Sequence, residues 1–366
     1  MTIAAHLFSS KEQPSFLLQC FRILALQNPG DSFIFFIDPA QTDPAKLPAN
    51  SKVIPVSPSI KNGLLLHYWY NFKLPVILKK YNVSCFISEI GVCSIRTPVP
   101  QCFVISDPFI PEKRSGDEYA VYTRRFFSRF VETVAEILVT ENYMIPKLVE
   151  KYPTIVNKIS PVRYGLSSAY RQVEPEEHAG LLEEFAGGYE YFLAECSPAS
   201  KQGLVTVLKA YSLFKKRLKS GLRLVILLHG VSAEDCIPGF KNYKYRDEVS
   251  FVSHQSTEKT ALLFAAAYAF IYLSGETTRQ NSGLYAMRSQ VPVITVDKPG
   301  ALAIFGDAAL FTRLDEKMMA DNMMLVYKDE NLRNECIRKG MLVAANYNWE
   351  TTAGLLWQTI LNISRD

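Results

Sequence analysis

Short apolar runs rich in β-branched and aromatic residues alternate along this chain with longer segments in which apolar residues recur every three or four positions. The short runs are typical of buried strands, and the longer segments are typical of amphipathic helices. The principal runs span residues 31–36, 81–88, 99–105, 191–193, 222–228, 265–273 and 291–296. Because strands and helices alternate, the pattern predicts the α/β fold class.

The clearest local unit lies in the C-terminal third of the chain. The apolar run 265–273 is followed by a polar loop, by a short helix that Ser282 can cap and that runs through Met287, and by the second run 291–296. This order predicts a βαβ unit. The helix N-terminus of such a unit lies beside the carboxyl edge of the sheet, where free N–H groups and the helix dipole favour phosphate. A nucleotide site is therefore expected at this edge.

Several separate motifs occur in a fixed order around this unit. They are Ala-Met at 286–287, Val-Pro-Val-Ile-Thr at 291–295, Gly-Asp-Ala-Ala-Leu at 306–310, Leu-Arg at 332–333 and Trp-Glu-Thr-Thr-Ala at 349–353. Together they make the chain resemble the retaining GT-B glycosyltransferases called glycosyl transferases group 1, especially bacterial mannosyltransferase-like members. The resemblance implies GT-B architecture, with two Rossmann-like domains facing a cleft that holds a nucleoside diphosphate sugar.

Length and composition agree with two domains. The chain has 366 residues, of which 48% are hydrophobic, and domains usually hold roughly 100 to 200 residues. We expect an acceptor-side Rossmann-like domain at 1–165, a linker at 166–188, a nucleotide-sugar-binding Rossmann-like domain at 189–347 and a final helix at 348–366. The linker prediction depends on prolines, an acidic run and Gly187-Gly188, which interrupt the periodicity. The resemblance implies that the final helix packs back on the first domain.

The donor loop departs from the family's pattern. The resemblance places two donor-site glutamates of the family at Thr277 and Tyr285, so both carboxylates are absent. Glu276 stands one residue early and could substitute only if the loop shifts. We name all three as donor-binding candidates, together with Asn281 and Ser282, because the family's loop meets the diphosphate with backbone N–H groups here.

Cationic candidates are few. Arg279 could bind the diphosphate bidentately and stabilise the leaving group, although an exposed loop arginine is the structural alternative. The family's Arg-Lys pair is matched by Lys201 and Gln202, which leaves one cation of two, and Gln202 joins the donor-binding candidates. Losing a preorganised cation is expected to raise the barrier by roughly 2 to 4 kcal/mol. After the run 222–228, His229 is the one candidate for another expected cation, and a structural histidine is the alternative.

The acceptor side shows a related departure. Related enzymes carry His-Asp at the end of a central strand, where this chain has Ser106-Asp107. Asp107 can accept a hydrogen bond from a sugar hydroxyl, so it is our third catalytic candidate beside Lys201 and Arg279. A simple turn after the strand is the alternative interpretation. Lys11 lies where the family has a glycine-rich loop, and its spacing requires no role.

Metal and cofactor chemistry have no supporting motif. No Asp-x-Asp occurs, and the five histidines lack metal-ligand spacing. No nucleophile elbow or Walker-type loop is present, which disfavours hydrolase and ATPase activities. We therefore expect no metal and no cofactor, with the nucleoside diphosphate sugar as a substrate. The seven cysteines are an odd number without close-pair spacing and are expected to be buried thiols.

The charge distribution bears on partners. A net charge of +4 is too small to indicate nucleic acid. Basic clusters at Lys79-Lys80, Arg124 to Arg129 and Lys215 to Lys219 are solvated helix faces or, alternatively, a membrane contact. No apolar stretch reaches the ~20 residues of a membrane span. We expect a cytoplasmic protein, and the alternative is a peripheral location at the inner face of the membrane.

Two functional hypotheses follow. In the first, the chain is a metal-independent, retaining transferase that moves a hexose, with mannose as the named candidate, to a glycan or lipid-linked acceptor. In the second, the fold persists without catalysis as a binding or partner subunit of a polysaccharide-assembly system. The replaced donor-site residues favour the second, and the preserved scaffold motifs favour the first.

Overall fold

The computed structural model describes residues 1–7, 15–37, 47–57, 62–89, 91–105, 118–140, 142–197, 200–237, 239–253, 256–273 and 281–364. The chain forms two compact units. Unit 1 consists of Met1–Gly165 and Asn348–Asp366, and unit 2 consists of Leu166–Tyr347. Each unit is built on one parallel sheet flanked by helices, which is the α/β class. Within the described part, no helix has both the length and the apolar character that crossing a membrane requires.

Unit 1 contains a seven-stranded sheet in the order β3-β2-β1-β4-β5-β6-β7, and all its neighbouring strands are parallel. Its strands are β1 Thr2–His6, β2 Ser32–Ile37, β3 Ser51–Pro55, β4 Cys85–Ser88, β5 Gln101–Ile105, β6 Glu136–Val139 and β7 Ile159–Pro161. The central strands are buried on both faces, because helices cover both sides of a parallel sheet.

The helices of unit 1 are α1 Phe16–Gln27, α2 Gly63–Tyr68, α3 Leu74–Lys80, α4 Glu118–Thr133 and α5 Ile145–Lys151. A π-helical turn, Trp69–Lys73, joins α2 directly to α3. The start of α1 is fixed by Ser15, whose side chain accepts a hydrogen bond from the Leu18 N–H.

Unit 2 contains a six-stranded parallel sheet in the order β10-β9-β8-β11-β12-β13. Its strands are β8 Tyr191–Cys196, β9 Arg223–Leu228, β10 Val249–Ser253, β11 Ala269–Tyr272, β12 Val293–Val296 and β13 Ala309–Thr312. Its helices are α6 Pro175–Ala186, α7 Lys201–Leu218, α8 Ala233–Cys236, α9 Thr257–Ala265, α10 Ser282–Arg288, α11 Pro299–Phe305, α12 Glu316–Lys328 and α13 Glu330–Ala345. Separate apolar cores fill the two faces of the sheet.

The run 265–273 is shorter as a strand than the sequence indicated. Ala265 ends α9, and β11 begins at Ala269. The Ser256 side chain caps α9 by accepting a hydrogen bond from the Lys259 N–H. Apolar periodicity alone does not separate the end of a buried helix from the start of a buried strand, so the boundary was placed too early.

Residues 166–188, for which the sequence suggested a linker, lie within unit 2. Helix α6 has proline in its first turn and ends at Gly187, which adopts a left-handed conformation with φ +59°. Leu181 and Phe185 are buried in the core of unit 2. The prolines and glycines therefore mark the two ends of a packed helix.

The last helix, α14 Trp349–Ile363, lies in unit 1. Asn348 caps it by accepting hydrogen bonds from the N–H groups of Glu350 and Thr351. The Thr352 hydroxyl donates to the Arg163 carbonyl at 2.7 Å. Several residues of α14 join the core of unit 1, including Leu356 and Ile360.

Candidate functional site

The candidate site lies at the carboxyl edge of the sheet in unit 2. Strand β8 stands between β9 and β11, so the direction in which the chain builds the sheet changes at β8. Ligands of open parallel sheets bind outside the carboxyl ends of the strands at such a switch point. The side chains that follow β8 and β9, and those at the start of α10, therefore determine what this edge can bind.

Helix α10 is held at its start by buried groups. The Asn281 side chain is fully buried and accepts a hydrogen bond from the Leu284 N–H at 3.1 Å. A Cβ at Gly283 would lie 2.5 Å from the ring of Phe305, so glycine is required by this close approach. The first turn of α10 is consequently packed tightly against its own unit.

A carboxylate connects three elements at this edge. Glu195 Oε1, near the end of β8, accepts a hydrogen bond from the Ser282 hydroxyl at 2.8 Å. The same oxygen lies 3.1 Å from Nε2 of His229, which directly follows β9. The hydrogen bond and the negative charge of Glu195 raise the pKa of His229 above its usual 6.5, against the opposing effect of burial. When His229 is protonated, its charge neutralises the carboxylate.

This ion pair makes a pH-dependent contribution to stability. Because the His229 pKa is higher in the folded chain, the contribution is full below the usual 6.5 and is lost as pH rises through the raised value. We expect His229→Gln to remove a stabilisation of less than about 1 kcal/mol, since the pair is partly exposed. Urea unfolding at several pH values measures it, and equal pH dependence of both proteins would contradict the assignment.

Tyr285, a donor-binding candidate, packs within unit 2. Its ring stacks on that of Tyr170 with a centroid distance of 4.0 Å and an interplanar angle of 6°. Arg288 Nε donates to the Tyr170 carbonyl at 3.1 Å, which fixes this part of the chain beside α10. Burial raises the pKa of Tyr285 to about 12, so its hydroxyl is neutral at physiological pH. The position offers a hydroxyl and an aromatic face in place of a carboxylate.

Helix α7 approaches the same edge after β8. Lys201 is its first residue and Gln202, the next, is exposed. A Cβ at Gly203 would lie 3.0 Å from a Leu273 methyl group, so the start of α7 is close to the end of β11. The Lys201 side chain is outside the described part of the structure.

The cysteine prediction was partly wrong. Cys196 and Cys236 form a disulfide, with a sequence separation of 40 and Cα atoms 6.7 Å apart. The strand end of β8 and the end of α8 bring the two thiols within bonding range. The other five, Cys20, Cys85, Cys93, Cys102 and Cys336, are free and buried as expected. The disulfide adjoins Glu195 and ties the loop after β9 to β8.

Four predicted site residues lie outside the described residues, namely Asp107, Glu276, Thr277 and Arg279. Among described side chains, the structure brings Ser282 to Glu195, a residue that the sequence reasoning missed. The signal that could have identified Glu195 is its charge, since it lies near the end of the otherwise apolar strand β8. No group of His, Cys, Asp and Glu that could hold a metal ion occurs among the described residues.

Unit 1 also has polar groups at the carboxyl edge of its sheet. His6 ends β1, and its Nδ1 lies 2.6 Å from the Tyr70 hydroxyl. Burial lowers the pKa of His6 to about 4, so this histidine is neutral at pH 7. Glu89, which follows β4, accepts hydrogen bonds at 2.5 Å from the Phe16 N–H and at 2.5 Å from the Ser15 hydroxyl. These contacts anchor α1 to the sheet.

Comparison with known proteins agrees with this geometry. The sequence model of the family described as Glycosyl transferases group 1 matches residues 190–342, which include all six strands of the sheet in unit 2. No curated protein matches the sequence.

Solved structures extend the similarity to nearly the whole chain. A glycosyltransferase from Rickettsia africae is 13% identical, with a TM-score of 0.73 and coverage of 99% of this chain and 98% of that one. The Anabaena protein Alr3699/HepE in complex with UDP and glucose is 12% identical, with a TM-score of 0.72 and coverage of 99% and 100%. Sucrose-phosphate synthase from Thermosynechococcus elongatus is 14% identical, with a TM-score of 0.69 and coverage of 99% of both chains. Residues 190–342 in unit 2 therefore match the family described as Glycosyl transferases group 1, and the chain has the α/β fold of the GT-B glycosyltransferases.

Proposed function

We propose that this chain is a metal-independent, retaining glycosyltransferase that moves a hexose from a nucleoside diphosphate sugar to a glycan or lipid-linked acceptor in the cytoplasm. The main support for this proposal is the family match over residues 190–342. These residues include the sheet of unit 2, and α10 begins at the carboxyl edge of that sheet. Sheets of this kind bind nucleotides at that edge. Mannose is the hexose that the sequence resemblance suggests, and the UDP and glucose bound to the Anabaena protein suggest a second donor to test.

Each remaining candidate residue has a role in this proposal. Lys201, at the start of α7, would neutralise the diphosphate beside the free N–H groups of that helix. Arg279 would stabilise the charge that develops on the leaving group, and Asp107 would bind an acceptor hydroxyl. The donor contacts would come from Gln202, Glu276, Thr277, Asn281, Ser282 and Tyr285. Asn281 would act through the helix start that it caps, since its side chain is buried.

A second function, a binding subunit without catalysis, is favoured by one contact. The Glu195 carboxylate bonds to Ser282 at the edge where a diphosphate would bind, and like charges repel. Tyr285, packed on Tyr170, supplies no carboxylate for a ribose. A chain with these features could retain nucleotide or glycan recognition while losing turnover.

Calorimetric titration of the full chain with UDP, GDP and ADP, then with UDP-glucose and GDP-mannose, tests the proposal. Micromolar affinity for one nucleotide together with sugar transfer or slow donor hydrolysis would support it, and an α-linked product from an α-linked donor would support retention. Tight nucleotide binding without any turnover would favour the binding subunit. No binding of a folded protein at millimolar nucleotide would contradict the proposed donor.

Lys201→Ala is expected to weaken nucleoside diphosphate binding about tenfold, or roughly 1.4 kcal/mol, because one charge-assisted contact is lost. The matched control is Lys216→Ala, which removes an exposed lysine from the other end of the same helix. The same titration measures both variants. Equal affinity of Lys201→Ala and wild type would remove Lys201 from the site.

A further inference from the structure

An exposed apolar stripe runs along the helical segment that α2, the π-helical turn and α3 form between residues 63 and 80. It consists of residues spaced four apart, and their exposed fractions are 84% for Leu64, 45% for Tyr68, 45% for Phe72 and 67% for Val76. The rings of Tyr68 and Phe72 stack with centroids 5.9 Å apart. A continuous row of this kind on a surface marks an interaction site more often than scattered exposed residues do.

Among the described residues, these four side chains do not belong to the apolar cores of unit 1. The opposite face of the same segment supplies the core contacts through Leu66, Trp69, Tyr70, Leu74 and Leu78, all of which are buried. The segment is therefore apolar on two faces, and in the described part of unit 1 only one of them joins the apolar core. The apolar character of the exposed face therefore needs an explanation other than packing within that core.

Positive charge surrounds the stripe. The four-residue spacing continues from Val76 to Lys80, and Lys79 beside it is also exposed. The Arg96 guanidinium lies over the Phe72 ring, 4.4 Å from its centroid. Arg96 thus adds a cation to the middle of the row.

Helix α4 contributes a second set of cations. It packs beside α2, where the His67 and Phe126 ring centroids are 5.3 Å apart. Arg124 and Arg125 are exposed on α4, and its acidic residues occur only at positions 118 and 132 near its two ends. Burial and the positive charges of Arg96 and Arg125 lower the pKa of His67 on α2.

Acidic residues are rare in the described strands and helices that precede residue 106 in unit 1. Between residues 44 and 106 the sequence contains one acidic residue, Glu89, and it is only 4% exposed. The stripe is thus apolar, and the described charged residues that border it are basic. This combination is the character of helices that lie in the plane of an anionic lipid surface.

We propose that the stripe, Leu64, Tyr68, Phe72 and Val76, docks unit 1 on a membrane surface that contains anionic lipids. The apolar side chains enter the boundary between headgroups and acyl chains, and the flanking lysines and arginines contact the lipid phosphates. A nucleic acid would match the positive charge, but it would offer no apolar surface to the aliphatic side chains of Leu64 and Val76. The inference is independent of which sugar donor the chain uses.

The test is co-sedimentation of the full chain with vesicles of phosphatidylcholine alone and of phosphatidylcholine mixed with phosphatidylglycerol. Wild type is expected to bind the mixed vesicles at least tenfold more tightly, and binding should weaken as salt increases. Lys79→Gln combined with Lys80→Gln is expected to weaken it about 25-fold, because each basic residue near an anionic surface contributes about a factor of five. The matched control, Lys147→Gln with Lys328→Gln, removes two exposed lysines outside the basic clusters and should bind like wild type.

The apolar contribution needs its own variants. Phe72→Ser combined with Val76→Ser is expected to weaken vesicle binding at least about tenfold, while Leu342→Ser, an exposed leucine on α13, should have no effect. Val76→Trp should strengthen binding, because tryptophan favours the membrane interface. Thermal unfolding checks the fold of every variant.

Several results would overturn the proposal. Wild type that stays in the supernatant with the mixed vesicles would do so, as would equal binding of the stripe variants and Leu342→Ser. Self-association or capture of a protein through the stripe, without vesicle binding, would assign the surface to a protein partner instead. Loss or retention of nucleotide binding has no bearing on these outcomes, so the two proposals fail separately.

Discussion

Glutamine in place of Glu195 is expected to raise the affinity of the chain for a nucleoside diphosphate about a hundredfold at alkaline pH. The carboxylate bonds to Ser282 at the start of α10, where the proposed diphosphate would bind. Two unit charges about 6 Å apart repel by about 3 kcal/mol at an effective dielectric constant of 20, and a hundredfold in affinity corresponds to about 2.7 kcal/mol. Glutamine keeps an acceptor for the Ser282 hydroxyl while it removes the charge.

The effect should depend on the protonation of His229. Below its raised pKa the imidazolium neutralises Glu195, and above that pKa the carboxylate is left uncompensated. We therefore expect the difference between Glu195→Gln and wild type to shrink as pH falls. Calorimetry with UDP and GDP across this range measures both affinities. His229→Gln should bind weakly at every pH, because it leaves the carboxylate charged.

The matched control is Glu190→Gln. Glu190 is exposed and precedes the amino end of β8, at the opposite edge of the sheet from Glu195. Its substitution changes net charge by the same amount and should leave affinity unchanged. A Glu195→Gln protein that bound more weakly than wild type would show that the carboxylate contacts the ligand favourably, for example through a sugar hydroxyl. That outcome would support a catalytic site rebuilt around Glu195.

The fold class could be predicted from the sequence because buried parallel strands have a recognisable apolar, β-branched composition. The runs at 222–228 and 291–296 became β9 and β12, since strands covered on both faces are almost continuously apolar. A strand that is apolar throughout does not reveal, however, in which direction each of its side chains points. In β8 every residue except Glu195 is buried, so no alternation indicated which side chain would reach the carboxyl edge.

Long-range contacts were the part that sequence could not supply. The Cys196–Cys236 pair depends on two Cα atoms 6.7 Å apart, and a separation of 40 residues gives no sign of it. The stacking of Tyr285 on Tyr170 similarly joins residues that no local pattern relates. The sequence motifs predicted that a helix begins near Ser282. The residues that contact this helix start, and so determine what it can bind, come from distant segments of the chain.

Alanine in place of Gly165 is expected to destabilise unit 1 by about 3 kcal/mol. A Cβ at this position would lie 2.2 Å from Cγ of Trp349, which is a steric overlap with the indole ring. The ring already contacts Phe16 and Tyr164, with centroids 5.7 Å and 6.0 Å away, so it cannot move without disturbing the core. Insertion of a methyl group into a packed site typically costs about 1 to 3 kcal/mol, and overlap of the added Cβ with a rigid ring places this case at the upper end.

Urea unfolding of the full chain measures this loss, with Gly354→Ala as the control. Gly354 lies on the same helix, α14, and its added Cβ would meet nothing within 4 Å, so alanine there should be neutral or stabilise by up to about 1 kcal/mol. Trp349→Leu combined with Gly165→Ala should lose less than the sum of the two single variants, because the smaller side chain relieves the overlap. Additive losses, or a Gly165→Ala protein as stable as wild type, would mean that Trp349 does not hold α14 against Gly165 in solution.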